Sequence, residues 1–507
     1  MFVRKKPNKS GVVSIQIIDK SSGSYEVLKT IGSSAEPAEV ERLYRQAKQE
    51  INRLTGQQQL DFEKDKEREL VEIFFHHIES TSLAGPELLL GKLFDEIGFN
   101  AIPDDLFRQL VICRLVYPVS KLKTVDYLLK YKGVSIDISK VYRYLDKLQK
   151  QQIKQVQQIS YEHTLQLLDH QLSIVFYDVT TLYFEATDED DLRKTGYSKD
   201  GKHQQPQIVL GLLVSEGGYP LDYEIFEGNT FEGKTMLPVI EAFKQKYKPG
   251  KLVIIADAGL MSHKNLTELC EKGYRFIIGA RIKNETEAIK EKILSLLFTD
   301  TQSTELQKQD GSRLIISYAD SRAKKDAFNR HRGMSKLEKE LKRGKFTKNN
   351  INNKGYNKYL KLDGDITITI DYEKFKADEK WDGLKGYITN TTLSKEEVIS
   401  VYKELWNIEK AFRISKTDLR IRPVYHHIRR RIEAHICIAF AACKIYKELE
   451  RQLKQKKSTL SAEKTIDILK TIHRLTITTP YSKTKYTRLL IKNEEQASLL
   501  KLFMLEN

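Results

Sequence analysis

The sequence predicts an α/β protein in which helices flank a mixed β-sheet. Apolar segments of strand length dominate residues 172–280. Three of them follow one another closely, and helical patterns then alternate with two more, in the order β-β-β-α-β-α-β. Closely joined strands pair antiparallel, whereas strands joined through helices pair parallel, so both kinds of pairing are expected in one sheet. Helical periodicity prevails before and after this region.

The first 80 residues lie outside this pattern. Residues 2–32 alternate apolar and polar side chains on either side of Ser21–Ser24, which predicts a β-hairpin with a glycine-containing turn. Residues 36–80 are rich in charge and helical in pattern. A hairpin followed by a helical arm is therefore expected.

Apolar residues at helical spacing predict an all-helical domain over residues 81–170. Ser120 and Ser139 stand where helix N-caps are expected. A break at Gly133 separates two helices that resemble a helix-turn-helix. The second of them carries three basic residues, Lys140, Arg143 and Lys147. This domain is a candidate DNA-binding module, and an ordinary helical bundle with a solvated basic face is the alternative.

The central region supplies the sheet and is followed by a polar segment. Strands are predicted at 173–184, 208–215, 220–226, 252–256 and 274–280, and helices at 234–247 and 262–272. Residues 282–394 then predict a β-rich insertion. Within it, residues 322–348 hold 11 Lys or Arg against 3 acidic residues. That arm is either a nucleic-acid surface or a solvated basic helix face.

A capping box at Ser394 and Glu397 predicts the start of a helix that runs to about Leu419. Seven residues make nearly two helical turns, so residues at this spacing lie almost in line. Three polar residues of this helix have it: Tyr402, Glu409 and Lys416. The rest of the chain is predicted to be helical, with an apolar core helix that packs behind the sheet or contacts a partner.

The charge balance favours a polyanionic partner. The chain of 507 residues has 85 Lys and Arg against 69 Asp and Glu, a net charge of +16, and nucleic acid is the first candidate. The 4 cysteines form no CxxC pair, so neither a zinc site nor a disulfide framework is suggested. No apolar run is long enough to cross a bilayer. We expect a soluble, cytoplasmic protein with no membrane partner.

Three carboxylates lie on elements that can converge. Asp178 lies inside the predicted strand LSIVFYDVTTLYFE, where an uncompensated charge is unfavourable. Asp257 ends the strand LVIIAD, in a position typical of acids that face a ligand at the carboxyl edge of a sheet. Glu409 lies on the capped helix. Converging carboxylates repel one another unless cations hold them, and oxygen ligands suit Mg²⁺ or Mn²⁺. Taken singly, each acid has the alternative of a cap or an ion-pair partner.

A second motif indicates a different class of enzyme. GNTFEGKT at Gly228–Thr235 matches G-x-x-x-x-G-K-[ST], with Lys234 in the phosphate-binding position, so an ATPase is a rival hypothesis. Against it, the preceding strand alternates polar and apolar residues, whereas the strand before a phosphate loop is central, parallel and continuously apolar. The hypothesis also leaves Asp178 and Glu409 without a role.

Five segments together carry a resemblance to a known family. They are YDVTTLYFE around Asp178, GYSKDGKHQQPQIVLGLLV at 196–214, PLDYEIFEGNT at 220–230, IIADAGL around Asp257 and YKELWNIEKAFRISKTDLRIRPVYHH at 402–427. The region from 172 to 445 resembles the DDE transposases of bacterial insertion sequences, in the insertion-sequence type 4 group. The resemblance implies a ribonuclease H-like fold with a β-rich insertion before the helix that carries Glu409.

The family signature after the second Asp is Tyr, two residues, Arg, three residues, Glu, six residues and Lys. Tyr402, Glu409 and Lys416 occupy three of these places, and Leu405 stands where Arg is expected. Lys403 and Arg413 are candidate substitutes for that phosphate contact.

The sequence pattern and the resemblance together predict the domain boundaries. They are 1–80 for the hairpin and arm, 81–170 for the helical DNA-binding domain, 171–281 and 395–445 for the two parts of the catalytic domain, 282–394 for the insertion and 446–507 for the C-terminal region.

The implied activity is metal-dependent DNA transposition, in which hydrolysis at a transposon end precedes attack of the freed 3′-hydroxyl on target DNA. Asp178, Asp257 and Glu409 would bind two Mg²⁺ or Mn²⁺ ions. The implied partners are double-stranded DNA, as terminal inverted repeats and target, and a second copy of the chain in a homodimer. A catalytically silent, transposase-derived DNA-binding protein is a third hypothesis.

Further residues are candidate contacts to DNA. Besides Tyr402 and Lys416, they are Arg143, Lys199, Lys202, His203, Arg413, Arg420 and Arg422. The last two begin a basic strip that continues to Arg431, and phosphate binding there predicts a steep salt dependence of DNA affinity. Trp381 is a candidate for stacking on a flipped base, with core packing as the alternative, and Trp406 is expected to pack.

Overall fold

The computed structural model describes residues 1–9, 11–55, 62–198, 201–202, 204–260, 262–347, 350–352, 355–363, 367–480 and 482–505. The chain divides into two compact units. The first comprises Met1–Thr81 with Leu475–Arg488, and the second comprises Ser82–Arg474 with Leu489–Asn507. Within the described ranges, no helix combines the length and the apolar character needed to cross a membrane.

The first unit contains an antiparallel sheet with a helix packed on it. Its elements are β1 (Phe2–Pro7), β2 (Val13–Asp19), β3 (Glu26–Ser34), α1 (Pro37–Thr55), α2 (Phe62–His76) and β4 (Ile78–Leu83). The predicted hairpin is confirmed by β2 and β3. The strand β1 was not predicted, and it pairs with the other side of β2. Ile15 and Ile17 of β2 pack against Val40 and Leu43 of α1.

The helical region begins the second unit, as predicted. Its helices are α3 (Lys92–Ile97), α4 (Asp105–Val116), α5 (Lys121–Lys132), α6 (Ile138–Lys147) and α7 (Ile153–Leu167). Ser120 caps α5, and Gly133 ends it with a φ of 66°, a left-handed conformation that favours glycine. The prediction that Ser139 caps α6 is wrong. Asp137 is the cap, and its carboxylate accepts from the Ser139 backbone N–H at 2.7 Å.

The central elements follow the predicted order. They are β5 (Ile174–Tyr183), β6 (Gln207–Ser215), β7 (Pro220–Glu227), α8 (Met236–Tyr247), β8 (Val253–Ala256), α9 (His263–Glu271) and β9 (Arg275–Ala280). On one side of β5, β6 and β7 continue the sheet antiparallel. On the other side, β8 and β9 run parallel to β5. The strand order β7-β6-β5-β8-β9 is ribonuclease H-like, which confirms the predicted fold class.

The segment after β9 extends this sheet. Its elements are α10 (Glu287–Ser295), β10 (Ser303–Gln307), β11 (Arg313–Tyr318), α11 (Asp320–Lys342), β12 (Leu360–Asp363), β13 (Thr367–Ile370), α12 (Tyr372–Glu379) and β14 (Leu384–Thr389). Antiparallel pairing of β14 with β9, of β11 with β14 and of β10 with β11 gives eight strands. Between β11 and β14, α11 and the β12–β13 hairpin share a small core of their own.

The C-terminal elements are α13 (Lys395–Lys403), α14 (Trp406–Arg413), α15 (Arg429–Gln455), α16 (Ala462–Leu469), β15 (His473–Thr478), β16 (Lys485–Leu490) and α17 (Glu494–Leu502). The capping box of Ser394 and Glu397 is confirmed at the start of α13. The apolar core helix is α15, which packs against α4, α6 and α7. This part of the chain is largely helical, as predicted, and it also contributes β15 and β16 to a sheet with β4.

Side chains of β5 alternate between two cores on the two faces of the sheet. Phe176 and Leu182 belong to the core that contains residues of α14 and α15. Val175 and Tyr177 belong to the core that contains residues of α8. Asp178 is in step with Phe176, so it faces α14.

Candidate active site

Asp178 and Asp257 lie side by side at one edge of the sheet. The parallel strands β5 and β8 are in register with Tyr177 opposite Ala256, and each aspartate is the next residue of its chain segment. Asp178 is half-buried and Asp257 is exposed. The Asp178 Oδ1 accepts a hydrogen bond from the Val179 N–H at 2.7 Å, which fixes one oxygen of the carboxylate against its own strand. The sequence prediction that these two acids converge therefore agrees with the register.

Glu409 reaches the same face of the sheet from α14, which packs against β5. The prediction of one straight helix from Ser394 to about Leu419 is wrong. The helix is interrupted at Glu404 and Leu405, where the Leu405 N–H donates to the Tyr402 carbonyl at 3.1 Å. This tight turn buries the Leu405 side chain, which is 7% exposed, in the core. Leu405 therefore serves packing at the place where the family signature has Arg.

Tyr402 connects the two sides of the site. Its hydroxyl donates to Asp257 Oδ1 at 3.2 Å. Burial raises the pKa of Tyr402, and the charges of Asp257 and Glu409 raise it further. The phenol is therefore protonated at neutral pH and acts as a hydrogen-bond donor. Gly279 permits this position, because a Cβ on Gly279 would stand 2.5 Å from the Tyr402 hydroxyl.

Lys385 is a component of the site that the sequence analysis missed. It lies on β14, and its Nζ stands 4.5 Å from the centre of the Tyr402 ring. Burial lowers the pKa of Lys385 and so does the charge of Arg322, whereas Asp257 and Glu409 act in the opposite direction. A single lysine within the otherwise apolar strand LKGYIT was the available signal. The place of Lys385 in the site depends on the pairing of β14 with β9, which the local sequence does not reveal.

The donor set suits a divalent cation. Two carboxylates from adjacent strands and a third from a facing helix supply the hard oxygen atoms that Mg²⁺ and Mn²⁺ prefer. Among the residues that the structure describes, no three acidic, His or Cys side chains are close enough together to form a ready-made metal cluster. The three acids therefore share one edge of the sheet without being drawn together, as expected for like charges.

The basic residues predicted to contact DNA are more widely placed. Arg413 is the last residue of α14, and Lys416 lies on the turn of π-helix that follows it, Ile414–Asp418. The Lys202 Nζ and the Arg422 Cζ lie 5.6 and 5.9 Å from the centre of the Tyr183 ring, at the end of β5. Lys199 and His203 lie outside the described residues.

Other members of the predicted DNA-binding set are not near the acids in any described contact. Arg143 is exposed on α6. Arg420 lines a cavity with Arg422. Of the basic strip beyond them, Arg430 and Arg431 pair with Asp146 at 2.8 and 3.0 Å. These two guanidinium groups are therefore partly neutralised within the protein.

The phosphate-loop hypothesis does not agree with the structure. Gly228–Thr235 follows β7, which is an antiparallel strand at the edge of the sheet. The Thr235 hydroxyl, which would meet magnesium in such a loop, is buried, where it accepts from the Tyr177 hydroxyl at 2.8 Å and donates to the Glu232 carbonyl. This segment supports the sheet and presents no phosphate cradle.

The two tryptophans also differ from one another. Trp381 is half-buried and packs against the core cluster to which residues of α8 also belong. Trp406 was expected to pack, and this expectation is wrong, because its side chain is 54% exposed at the first position of α14. Its ring lies 5.8 Å from Lys410 Nζ.

Comparison with known proteins gives one family. The family described as transposase DDE domain matches residues 169–443. Among solved structures, the chain is similar to a piggyBac transposase synaptic complex with hairpin DNA, with 9% identity, a TM-score of 0.39 and 79% of each chain covered. It is also similar to a Mos1 transposase paired-end complex with left transposon end, with 12% identity, a TM-score of 0.16 and coverage of 36% of this chain and 57% of that one. No curated protein sequence matches the chain.

Proposed function

Since this chain belongs to the transposase DDE domain family, whose match spans more than half of its length, we propose that it is the DNA transposase of an insertion sequence. We assign it to the insertion-sequence type 4 group on the segments around Asp178, Asp257 and Glu409. The proposed reaction is strand cleavage at transposon ends, followed by transfer of the freed 3′-hydroxyl to target DNA. The observation that supports this proposal is that Asp178 on β5 and Asp257 after β8 are adjacent in register, while Glu409 lies on α14, which packs against β5.

Asp178, Asp257 and Glu409 are proposed to hold Mg²⁺ or Mn²⁺, as two ions. Bound there, such ions activate a nucleophilic oxygen and stabilise the leaving oxygen of a phosphodiester. The chain's own contribution is to orient the ligands. Val179 fixes one oxygen of Asp178, and the Tyr402 hydroxyl fixes one oxygen of Asp257. These hydrogen bonds leave the other oxygen of each carboxylate available as a metal ligand.

The residues around the acids are proposed to position DNA. Arg413 at the end of α14, Lys416 in the turn after it and Lys202 near Tyr183 are proposed to supply the positive charge that a phosphate backbone needs in order to approach the site. Lys199 and His203 stand close to Lys202 in the sequence and are included in this proposal. Tyr402 is assigned to orient Asp257 and to border the phosphate path.

We also propose the partners and the location that this function requires. Double-stranded DNA enters as terminal inverted repeats and as target, and two copies of the chain act on paired ends. The helical region of 81–170, with exposed Arg143, is proposed to contribute to DNA binding. The protein is placed in the cytoplasm, associated with the nucleoid when it is bound to DNA.

The first prediction tests the three acids. Asp178→Asn, Asp257→Asn and Glu409→Gln each remove one anionic ligand while preserving shape, so each should lower Mg²⁺-dependent strand cleavage by at least 10²-fold. Binding of end DNA, measured by gel shift in Ca²⁺ or EDTA, should change less than about threefold.

An exposed acid with no described contact to the site, Glu494→Gln on α17, is the matched control and should cleave like the wild type. Full cleavage by Glu409→Gln would contradict the assignment of the site. A wild-type protein that binds end DNA and never nicks it, in Mg²⁺ or Mn²⁺, would indicate a silent DNA-binding descendant instead.

A further inference from the structure

A cavity with a strongly basic lining opens between the start of α5 and the segment that follows α14. Its volume is about 660 Å³. The lining includes Arg114 from α4, Lys121 from α5 and Arg420 and Arg422 from the chain after α14. None of its lining residues is acidic. We call it the Lys121 cavity.

Lys121 is largely buried and lines the cavity. Its side chain is 4% exposed, and among the described residues no hydrogen bond or ion pair is found for its Nζ. Burial lowers the pKa of Lys121 well below its usual value, and the nearby charge of Arg114 lowers it further. An ammonium group in this position is unfavourable unless an anion accompanies it, so an anion that enters the cavity would stabilise it.

Arg114 is a second buried cation in the same lining. Its side chain is 5% exposed, and among the described residues its guanidinium donates to two neutral groups, the Leu419 carbonyl at 3.4 Å and the His435 ring at 3.5 Å. Burial lowers the pKa of His435, so its imidazole is neutral and accepts from Arg114. The α5 N-terminus, capped by Ser120, adds the positive end of a helix dipole.

We propose that the Lys121 cavity binds a phosphate group, and that during transposition this group belongs to a DNA strand held in the active site. A phosphate would supply the anion that both buried cations lack and would accept several charge-assisted hydrogen bonds. The second part of this proposal rests on the proposed function, and the first part is independent of it.

The position of the cavity fits a strand that leaves the active site. The Val424 N–H donates to the Tyr183 carbonyl at 3.1 Å, which ties the segment carrying Arg420 and Arg422 to the end of β5. Tyr183 follows Asp178 by five residues of strand, or about 17 Å. A DNA strand that runs along β5 covers this distance in about five nucleotides, at 3.4 Å per nucleotide of duplex, and we expect this spacing between the bound phosphate and the reacting phosphodiester.

The first experiment uses inorganic phosphate as the probe. Melting temperatures of the wild type, Lys121→Met and the control Lys130→Met, which removes an exposed charge from the same helix, are measured in phosphate and in sodium chloride of equal ionic strength. Without phosphate, Lys121→Met should melt at roughly 3 °C above the wild type, since it removes an unpaired buried charge. Phosphate should raise the melting temperature of the wild type and of Lys130→Met, but not that of Lys121→Met.

The second experiment identifies the source of the phosphate. End DNA ethylated at one phosphate at a time is bound to the wild type and to Lys121→Met. For the wild type, ethylation about five nucleotides from the cleaved bond should weaken binding about tenfold. For Lys121→Met, the same ethylation should have no further effect.

Each experiment tests one of the two parts of the proposal, the phosphate site and its use for a DNA strand. An equal response of the wild type and Lys121→Met to phosphate would overturn the phosphate site. A selective response to phosphate with identical ethylation patterns would restrict the site to free anions and overturn its role in holding DNA. Loss of cleavage in the acid variants is unaffected by either result, so failure of this inference is distinguishable from failure of the proposed function.

Discussion

Lys385 is the residue that most changes the description of the site. Its ammonium group stands over the ring of Tyr402, whose hydroxyl in turn holds Asp257. The electrostatic influence of Asp257 and Glu409 on its pKa places its charge near both carboxylates. A cation at this position reduces the mutual repulsion of the acids and aligns Tyr402. It is a positioning residue in this arrangement.

The prediction for Lys385→Met follows from both effects. Removing the charge makes the site more negative, so half-maximal cleavage should need several-fold less Mg²⁺. Tyr402 loses its support at the same time, and the maximal cleavage rate should fall by about tenfold or more. The measurement is the cleavage rate as a function of Mg²⁺ concentration.

Two further variants give this test its control. Lys385→Arg keeps the charge and should recover most of the rate, and Lys361→Met, at an exposed position of β12, should behave like the wild type. A fall in rate with an unchanged Mg²⁺ requirement for Lys385→Met would indicate a purely structural role.

The acids could be predicted from the sequence, whereas Lys385 could not. Asp178 and Asp257 each interrupt or end a strongly apolar strand, which is a local signal. The place of Lys385 depends on the antiparallel pairing of β14 with β9, in which Tyr387 lies opposite Gly279. That pairing joins distant parts of the chain, and no short-range pattern encodes it.

At the scale of elements, the helix after Ser394 shows where periodicity fails. Its start was predictable because the capping box is a local motif. The break at Leu405 has neither Gly nor Pro to predict it, and it accompanies the burial of Leu405 in the core, which depends on tertiary packing. The straight-helix prediction aligned Tyr402 and Glu409 on one helix, whereas the structure places them on two helices that meet at the site.

Helix α15 carries a buried lysine whose titration should govern stability. Lys444 donates to the Ser160 carbonyl of α7 at 3.0 Å, and burial lowers the pKa of Lys444 to about 7. Between this value and the normal lysine pKa, the unfolded chain binds a proton that the folded chain does not. The free energy of unfolding attributable to Lys444 should therefore rise with pH across that interval.

The check is urea denaturation at pH 6, 8 and 10. Relative to the wild type, Lys444→Met should be most stabilising at pH 6, where the buried ammonium is charged, and its advantage should shrink by several kcal/mol towards pH 10. Lys454→Met, on the exposed end of the same helix, should show a constant difference. The same constant difference in Lys444→Met would mean that Lys444 titrates normally.

At the scale of the whole molecule, the net charge is +16, but the basic side chains differ in how free they are to contact DNA. Part of the basic strip is paired internally, as Arg430 is with Asp146. Arg420 instead lines the Lys121 cavity. Composition predicts the polyanionic partner, but only the fold separates cations that are paired from cations that face a cavity.

Salt titration of DNA binding should reveal this difference. With six or more phosphate contacts, the affinity for end DNA should fall by at least about 10³-fold between 50 and 200 mM salt. Arg420→Gln should reduce the slope of log affinity against log salt by about one, whereas Arg430→Gln should leave it nearly unchanged. Equal slopes for the two variants would contradict the separation.

The distance along the chain between β9 and β14 also determines how long β9 stays unpaired during protein synthesis. Partners such as Ile278 and Ile388 are more than 100 residues apart in the chain. A ribosome adding about 5 to 20 residues per second leaves β9 at an open edge of the sheet for about 5 to 20 seconds. Exposed strand edges recruit other strands, so the nascent chain is most open to misassociation in this interval. The arrival of β14 closes that edge, and the same step brings Lys385 near Asp257 and Glu409.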